Sequence, residues 1–199
     1  MNARDAAAFE RCIAGGGVAL FPADTVYGLA CDPESSAAVE RLYRIKGRPA
    51  DRPAAVMFFE LEAALAALPD LGPRTRHALT VLLPGRVTVL LPNPSRRYPL
   101  ACGPAPGRLG LRVPELDGFA GVGRAVLQSS ANPSGGADAR SLDHVDERIR
   151  REVDLELDGG ELPGKPSTVV DLTAHEERGE YAIVREGAVP AAEIDRRLR

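Results

Sequence analysis

The stretch LYRIKGRPADRPAAV, residues 42–56, sets three cations, Lys46, Arg48 and Arg52, on a turn stiffened by Pro49 and Pro53. Its front reads as the end of a helix and its back as a strand. Lysine and arginine at a helix C-terminus favour the negative end of the helix dipole, and proline then stops the helix. That accounts for Lys46 and partly for Arg48. It does not explain why two prolines restrict the segment that carries Arg48 and Arg52. Fixed cations of this kind also suit an anion, arginine as a fork and lysine as a point charge. A helix end and an anion site both fit the stretch taken alone.

Other polar clusters raise the same choice. FPADTVYGLACDP, residues 21–33, reads as a tight polar loop in which Thr25 and Tyr27 can present hydroxyls. Turn chemistry plus a packed Tyr27 fits it equally well. SSANPSGG, residues 129–136, holds three hydroxyls and an asparagine in a glycine-ended loop. Such loops turn several N–H groups inward as an anion nest, or simply cap the next helix. Ser167 and Arg185 fall at strand ends, in KPSTVVDL and YAIVREG. Arg112 lies inside the apolar run LGLRVP, where it needs an anionic partner or, on an edge strand, water.

Several other chemistries are excluded. GGELPGKPS, residues 159–167, approaches a phosphate-binding loop, but Pro166 replaces the hydroxyl residue and a β-rich run follows where a helix is required. Ser129 and Ser130 do not sit in a nucleophile elbow. His77, His144 and His175 lack metal-ligand spacing and read as surface residues, so no metal site is expected from the side chains. With no nucleophile beside a base, an enzyme built on this chain would work by positioning and charge stabilisation.

The elements that must position these residues alternate. Helices are expected over 3–14, 34–46, 60–68, 74–82, 141–150 and 190–198, with a short one after residue 114. Strands are expected over 18–22, 54–59, 87–92, 109–114, 125–130, 153–157, 167–172 and 181–186. Residues 93–108, rich in proline and glycine, read as a long functional or mobile loop. Alternation of this kind gives an α/β fold, here one mixed sheet with helices on both faces. The chain has 199 residues and reads as a single domain, 1–199. A net charge of −3 argues against broad nucleic-acid binding. Three scattered cysteines form neither a disulfide framework nor a metal site, so a reducing cytoplasm is the expected compartment. No apolar run is long enough for a membrane span, and the N-terminus does not read as a secretory signal.

Taken together, FPADTVYGL, LYRIKGRPADRP, LPGRVTVLLP, LGLRVP, SSANPSGG, PSTVVDL and VREGAV resemble the YrdC-like family of threonylcarbamoyl-AMP synthases. The matches run in family order over roughly residues 15–190. The resemblance implies a twisted mixed sheet flanked by helices around a concave basic cleft. It implies a nucleotidyltransferase, an L-threonylcarbamoyladenylate synthase, that uses ATP with Mg²⁺, L-threonine and bicarbonate or CO2 and releases pyrophosphate. Its product would feed N6-threonylcarbamoyladenosine (t6A37) formation in tRNA through downstream transfer proteins, with room for contact with tRNA or other double-stranded RNA.

Residue by residue, the resemblance assigns Lys46 and Arg48 to the triphosphate as the catalytic pair. It assigns Arg52, Arg108, Ser130, Asn132, Asp138 and Arg185 to ATP, and Thr25, Arg112 and Ser167 to threonine, with Arg112 on the carboxylate. The chain departs from the family pattern at Ala23 for threonine, Met57 for histidine, Arg86 for proline and Asp138 for a hydroxyl. Two rival readings follow: a paralogue with an altered substrate or no turnover, and an RNA-binding module without chemistry.

Overall fold

The computed structural model describes residues 1–119 and 121–199. In chain order these form α1 (Ala3–Ala14), β1 (Ala19–Pro22), β2 (Tyr27–Cys31), α2 (Ser36–Lys46), β3 (Ala55–Met57), α3 (Leu61–Ala67), α4 (Pro73–Leu82), β4 (Val87–Pro92) and α5 (Pro99–Cys102). There follow β5 (Arg108–Arg112), β6 (Val126–Ser130), a 3-10 turn (Leu142–His144), α6 (Glu147–Arg150), β7 (Leu155–Glu156), β8 (Thr168–Asp171), α7 (His175–Arg178), β9 (Ala182–Arg185) and α8 (Ala191–Leu198).

The strands join one nine-stranded sheet in the order β7-β1-β2-β6-β3-β5-β4-β8-β9. β1–β7, β3–β5 and β4–β8 pair in parallel, and the other neighbours pair antiparallel. The expected mixed sheet is therefore present. Successive strand residues point to opposite faces. Leu20, Leu29, Val56 and Leu127 join a large core with α2 and α4, while Phe21, Ala30, Met57 and Val126 join a smaller one under α1. In the smaller core Phe9 meets the rings of Phe21, Phe59 and Phe119, with centroids 5.0–5.6 Å apart.

The structure corrects the sequence reading in several places, among them two short unexpected helices, α5 within the 93–108 loop and α7. Tyr27–Cys31 is a strand, not part of a loop, and every residue in it is buried. It is covered on both faces, so it shows no polar alternation; its continuous apolar run is the signal. No helix lies between Val113 and Ala125 among the described residues. The expected helix at 141–150 is a 3-10 turn and a single α-turn. The strand at 153–157 shrinks to two residues. His175 is buried, with its ring edge-on to Tyr181 at 6.4 Å, because α7 packs against α4.

α2 shows how the chain delivers a site residue. The Ser35 side chain accepts from the Ala38 N–H and opens the helix. Leu42 and Ile45 anchor its buried face. Gly47 closes it at φ 60°, a conformation glycine adopts without a Cβ penalty. Lys46 is thus the last helical residue, turned toward the sheet.

The 93–108 segment is ordered by one side chain. Asn93 is 3% exposed; its Nδ2 donates to the Arg97 and Pro106 carbonyls, each at 2.9 Å, and its Oδ1 accepts from the Arg97 N–H at 2.9 Å. Buried amide groups must be paired, and leaving carbonyls orphaned costs on the order of 1–3 kcal/mol each. Asn93→Ala should therefore destabilise the fold by about 2–3 kcal/mol. In a chain of this size that lowers Tm by roughly 4–12 °C, readable by calorimetry. A variant as stable as the parent would show that the segment keeps its shape without this amide.

Candidate functional site

The register of the central strands creates a hollow. Gln128 on β6 pairs with Ala55 on β3, Ala55 with Gly110 on β5, and Gly110 with Leu90 on β4. Ala55 and Gly110 stand side by side in this row with almost no side chain. The space above them is a cavity of about 410 Å³, a size that fits a small-molecule ligand. It shares its sheet face with Met57 and Val126, so α1 and its aromatic cluster cover one part of that face and the cavity occupies the rest.

Eight of the eleven sequence-predicted site residues line this cavity: Thr25, Arg48, Arg108, Arg112, Ser130, Asp138, Ser167 and Arg185. They come from six separate stretches of chain. Lys46, Arg52 and Asn132 lie outside the lining. Arg52 is exposed, and its carbonyl accepts from the Tyr43 hydroxyl at 3.0 Å.

Lys46 has a different place. It is 3% exposed. Its Nζ donates to the Ser130 carbonyl at 2.6 Å, the Asn132 carbonyl at 2.7 Å and Asn132 Oδ1 at 2.6 Å, with Ser130 Oγ at 3.3 Å. Three ammonium protons meet at least three acceptors, all in one loop. Ser130 Oγ donates to Asn132 Oδ1 at 2.6 Å, Asn132 Nδ2 donates to the Gly136 carbonyl at 2.5 Å, and the Ser134 N–H returns to the Lys46 carbonyl at 2.9 Å. Burial and the nearby Arg48 pull the Lys46 ammonium down to about 8, with Asp138 acting in the other direction.

The arginines at the rim are each held by one edge. Arg48 donates from Nη2 to the Pro53 carbonyl and lies over the Tyr43 ring at 5.7 Å, a cation–π contact. Arg185 Nη2 donates to the Ser167 carbonyl at 2.8 Å. Arg108 pairs with Asp171 at 2.7 Å. A guanidinium carries five donors, so each keeps several for a ligand. Ser167 Oγ lies 2.8 Å from Thr88 Oγ1.

Arg112 sits on a central strand, 4% exposed, so the edge-strand alternative falls. Its partner is Asp24, at 2.6 Å between Nη2 and Oδ1. Burial holds the Asp24 carboxyl above its usual value, although Arg112 opposes the shift. Asp24, Gln128 and Thr88 were not predicted as site residues. A polar residue inside each of the apolar runs AVLQSS and VTVLLP is the signal that points to Gln128 and Thr88. Asp24 carries no such signal, because an aspartate in a tight turn is ordinary.

Geometry of this kind can seat a polyanion beside a small carboxylate. The sequence and fold are similar to those of other proteins. The Sua5/YciO/YrdC family model, described as telomere recombination, matches residues 11–187. A threonylcarbamoyl-AMP synthase of Saccharophagus degradans is 32% identical over 168 residues, 81% of this chain and 87% of its own length. The crystal structure of Pyrococcus abyssi Sua5 complexed with L-threonine superposes with a TM-score of 0.87 at 27% identity, over 99% of this chain and 58% of that one. Escherichia coli YciO superposes with a TM-score of 0.79 at 25% identity, over 97% of this chain and 94% of that one. This chain therefore spans little more than half of the Pyrococcus protein and nearly all of YciO. The matched residues hold both the central sheet and the cavity built on it, and the chain belongs to the Sua5/YciO/YrdC family.

Proposed function

We propose that this chain makes threonylcarbamoyl-AMP from ATP, L-threonine and bicarbonate or CO2, with release of pyrophosphate. The observation that carries the reading is the convergence of Thr25, Arg48, Arg108, Arg112, Ser130, Asp138, Ser167 and Arg185 on one cavity. The name of the Saccharophagus relative and the L-threonine complex of the Pyrococcus protein agree with it. Arg48, Arg108 and Arg185 would take the nucleotide's phosphates, and Arg112, Thr25 and Ser167 the threonine. Lys46 would act through the 130–132 loop that it holds, so that Ser130 faces the nucleotide.

In this reaction the unprotonated threonine amine adds to CO2 and, with loss of one amine proton to solvent, gives a carbamate. A carbamate oxygen attacks the α-phosphorus, and the bond to pyrophosphate breaks. The residues orient the two substrates and offset the charge that builds on the leaving group. Magnesium would arrive on the nucleotide's phosphates, which is its usual mode beside one or two carboxylates, and Asp138 is the acid in the lining. The product would serve tRNA modification in the cytoplasm through separate transfer proteins.

One observation favours a second reading within the family. Met57 is fully buried in the smaller core, outside the cavity lining, and stands in register with Arg112, the residue assigned to the threonine carboxylate. A thioether there offers neither a proton nor a strong acceptor. A paralogue with a different amino-acid substrate fits that feature. Pyrophosphate release measured with threonine, with serine and with neither separates the two, since only the synthase depends on threonine.

Arg48→Ala should lower kcat/KM on the order of a hundredfold, because it removes one charged donor from the leaving-group side. Its stability should stay within about 0.5 kcal/mol, since the side chain is only half-buried. Lys46→Met should lower both activity and stability, the latter by about 2 kcal/mol, because loop carbonyls lose their donor. Full activity in both variants would sink the assignment.

The pH profile of kcat/KM is a further check. Deprotonation of the substrate amine raises the rate with pH, and loss of the Lys46 proton near 8 removes a donor from the loop. The rate should therefore turn down above about pH 8. A rate that keeps climbing well above that pH would show that the neutral amine holds the loop as well.

A further inference from the structure

The grip on Arg112 is lopsided. Nη2 meets Asp24 Oδ1 at 2.6 Å and the Ala23 carbonyl at 3.4 Å. Nη1 meets only Gln128 Oε1, at 3.4 Å, and Nε has no partner. Arg112 and Gln128 line the cavity and Asp24 does not. The tight contact therefore lies behind the cavity wall, and the loose one lies on the side of the lining. We propose that Asp24 is a positioning residue, which clamps Arg112 by Nη2 and leaves its Nη1 edge to receive the carboxylate of an amino-acid ligand. The ligand class rests on the threonine reading above.

Three features build the clamp. Asp24 sits at φ 62°, within the turn between β1 and β2 that is closed by Ala23 N–H to Val26 at 3.1 Å and Thr25 N–H to Ala23 at 2.8 Å. The backbone thus fixes the carboxylate, and the carboxylate fixes the guanidinium. Gly28 makes room on the opposite side: a Cβ there would stand 2.7 Å from Gln128 Nε2. The Nη1–Gln128 contact is at the long limit for a hydrogen bond and joins an ion to a neutral amide. A ligand carboxylate makes a shorter, charge-assisted bond and takes the place of that amide.

A stabilising role explains the pair less well. Two charges taken out of water rarely recover their desolvation through one contact, and here burial already strains the Asp24 charge. As a resident counter-ion, Asp24 lets Arg112 stay buried and oriented before any ligand arrives.

Asp24→Asn keeps the shape and removes the charge, and asparagine tolerates this left-handed backbone. With R112K and the D24N/R112K double variant it forms a cycle. In D24N the KM for L-threonine should rise about tenfold or more, with kcat and the KM for ATP within about twofold of the parent. The double variant should be no worse than R112K alone, because Asp24 acts through Arg112. A purely structural role would instead lower kcat and raise both KM values together.

The second measurement needs no turnover. The Arg112 Nε–H resonance should exchange slowly in the parent and rapidly in D24N, and L-threonine should shift it in the parent. If D24N does not fold, Asp24→Glu, which moves the carboxylate by one methylene, carries the same measurements. A folded variant with parental threonine KM, or additive effects in the cycle, overturns the proposal. Absence of pyrophosphate release by the parent overturns the synthase reading. The clamp is then judged by the Arg112 resonance, and an unchanged signal in D24N overturns it too.

Discussion

The contact on which the rest of the site depends is the one between the Lys46 ammonium and the 130–132 loop. It joins the end of α2 to the end of β6, through Lys46 and Ser130, which lie 84 residues apart in the chain. A buried ammonium is costly unless each proton finds an oxygen, and the loop supplies those oxygens by folding around it. The cost of burying the charge and the shape of the loop are thus one problem with one solution. The Ser134 N–H closes the circle by returning to the Lys46 carbonyl.

From that tie the cavity follows in layers. The loop sets one wall, the Arg48 turn another, and the Asn93-ordered segment a third through Cys102, Ala105 and Arg108. The floor is made by what is missing: Ala55 and Gly110 in neighbouring register leave a hollow in an otherwise packed sheet. Polar and charged groups then converge from strand ends, where an α/β sheet ordinarily gathers its ligands. The other face is closed by the large core under α2 and α4, so the sheet has one face for folding and part of the other for binding.

Much of this was legible in the chain. Helical periodicity located the four longest helices, and short apolar runs bounded by turn residues located most strands. β2 was missed because burial on both sides removes the alternation, and its five-residue apolar run is short and flanked by turn residues. Assignment of Arg48, Arg112, Ser130 and Arg185 to one site was legible through resemblance; their own surroundings left an anion site and a turn, helix end or edge strand both open. What spacing cannot convey is the direction of a side chain. Lys46 and Arg48 are two residues apart on either side of a left-handed glycine, which sends one into the protein and the other to the cavity rim. Asp24 was hidden for a related reason: its partner lies 88 residues away on β5, three strands across the folded sheet from β2.

The cations Lys46, Arg48 and Arg185 share one habit: each is anchored on backbone carbonyls, of Ser130 and Asn132, of Pro53, and of Ser167. A carbonyl belongs to the chain and not to any particular side chain. Replacing Pro53, for example, would leave the oxygen that holds Arg48 in place so long as the turn keeps its path. Such a site tolerates sequence drift around it far better than one wired by side-chain pairs. Arg108 and Arg112 are the exceptions, since the anchor of each is a carboxylate that one substitution can remove.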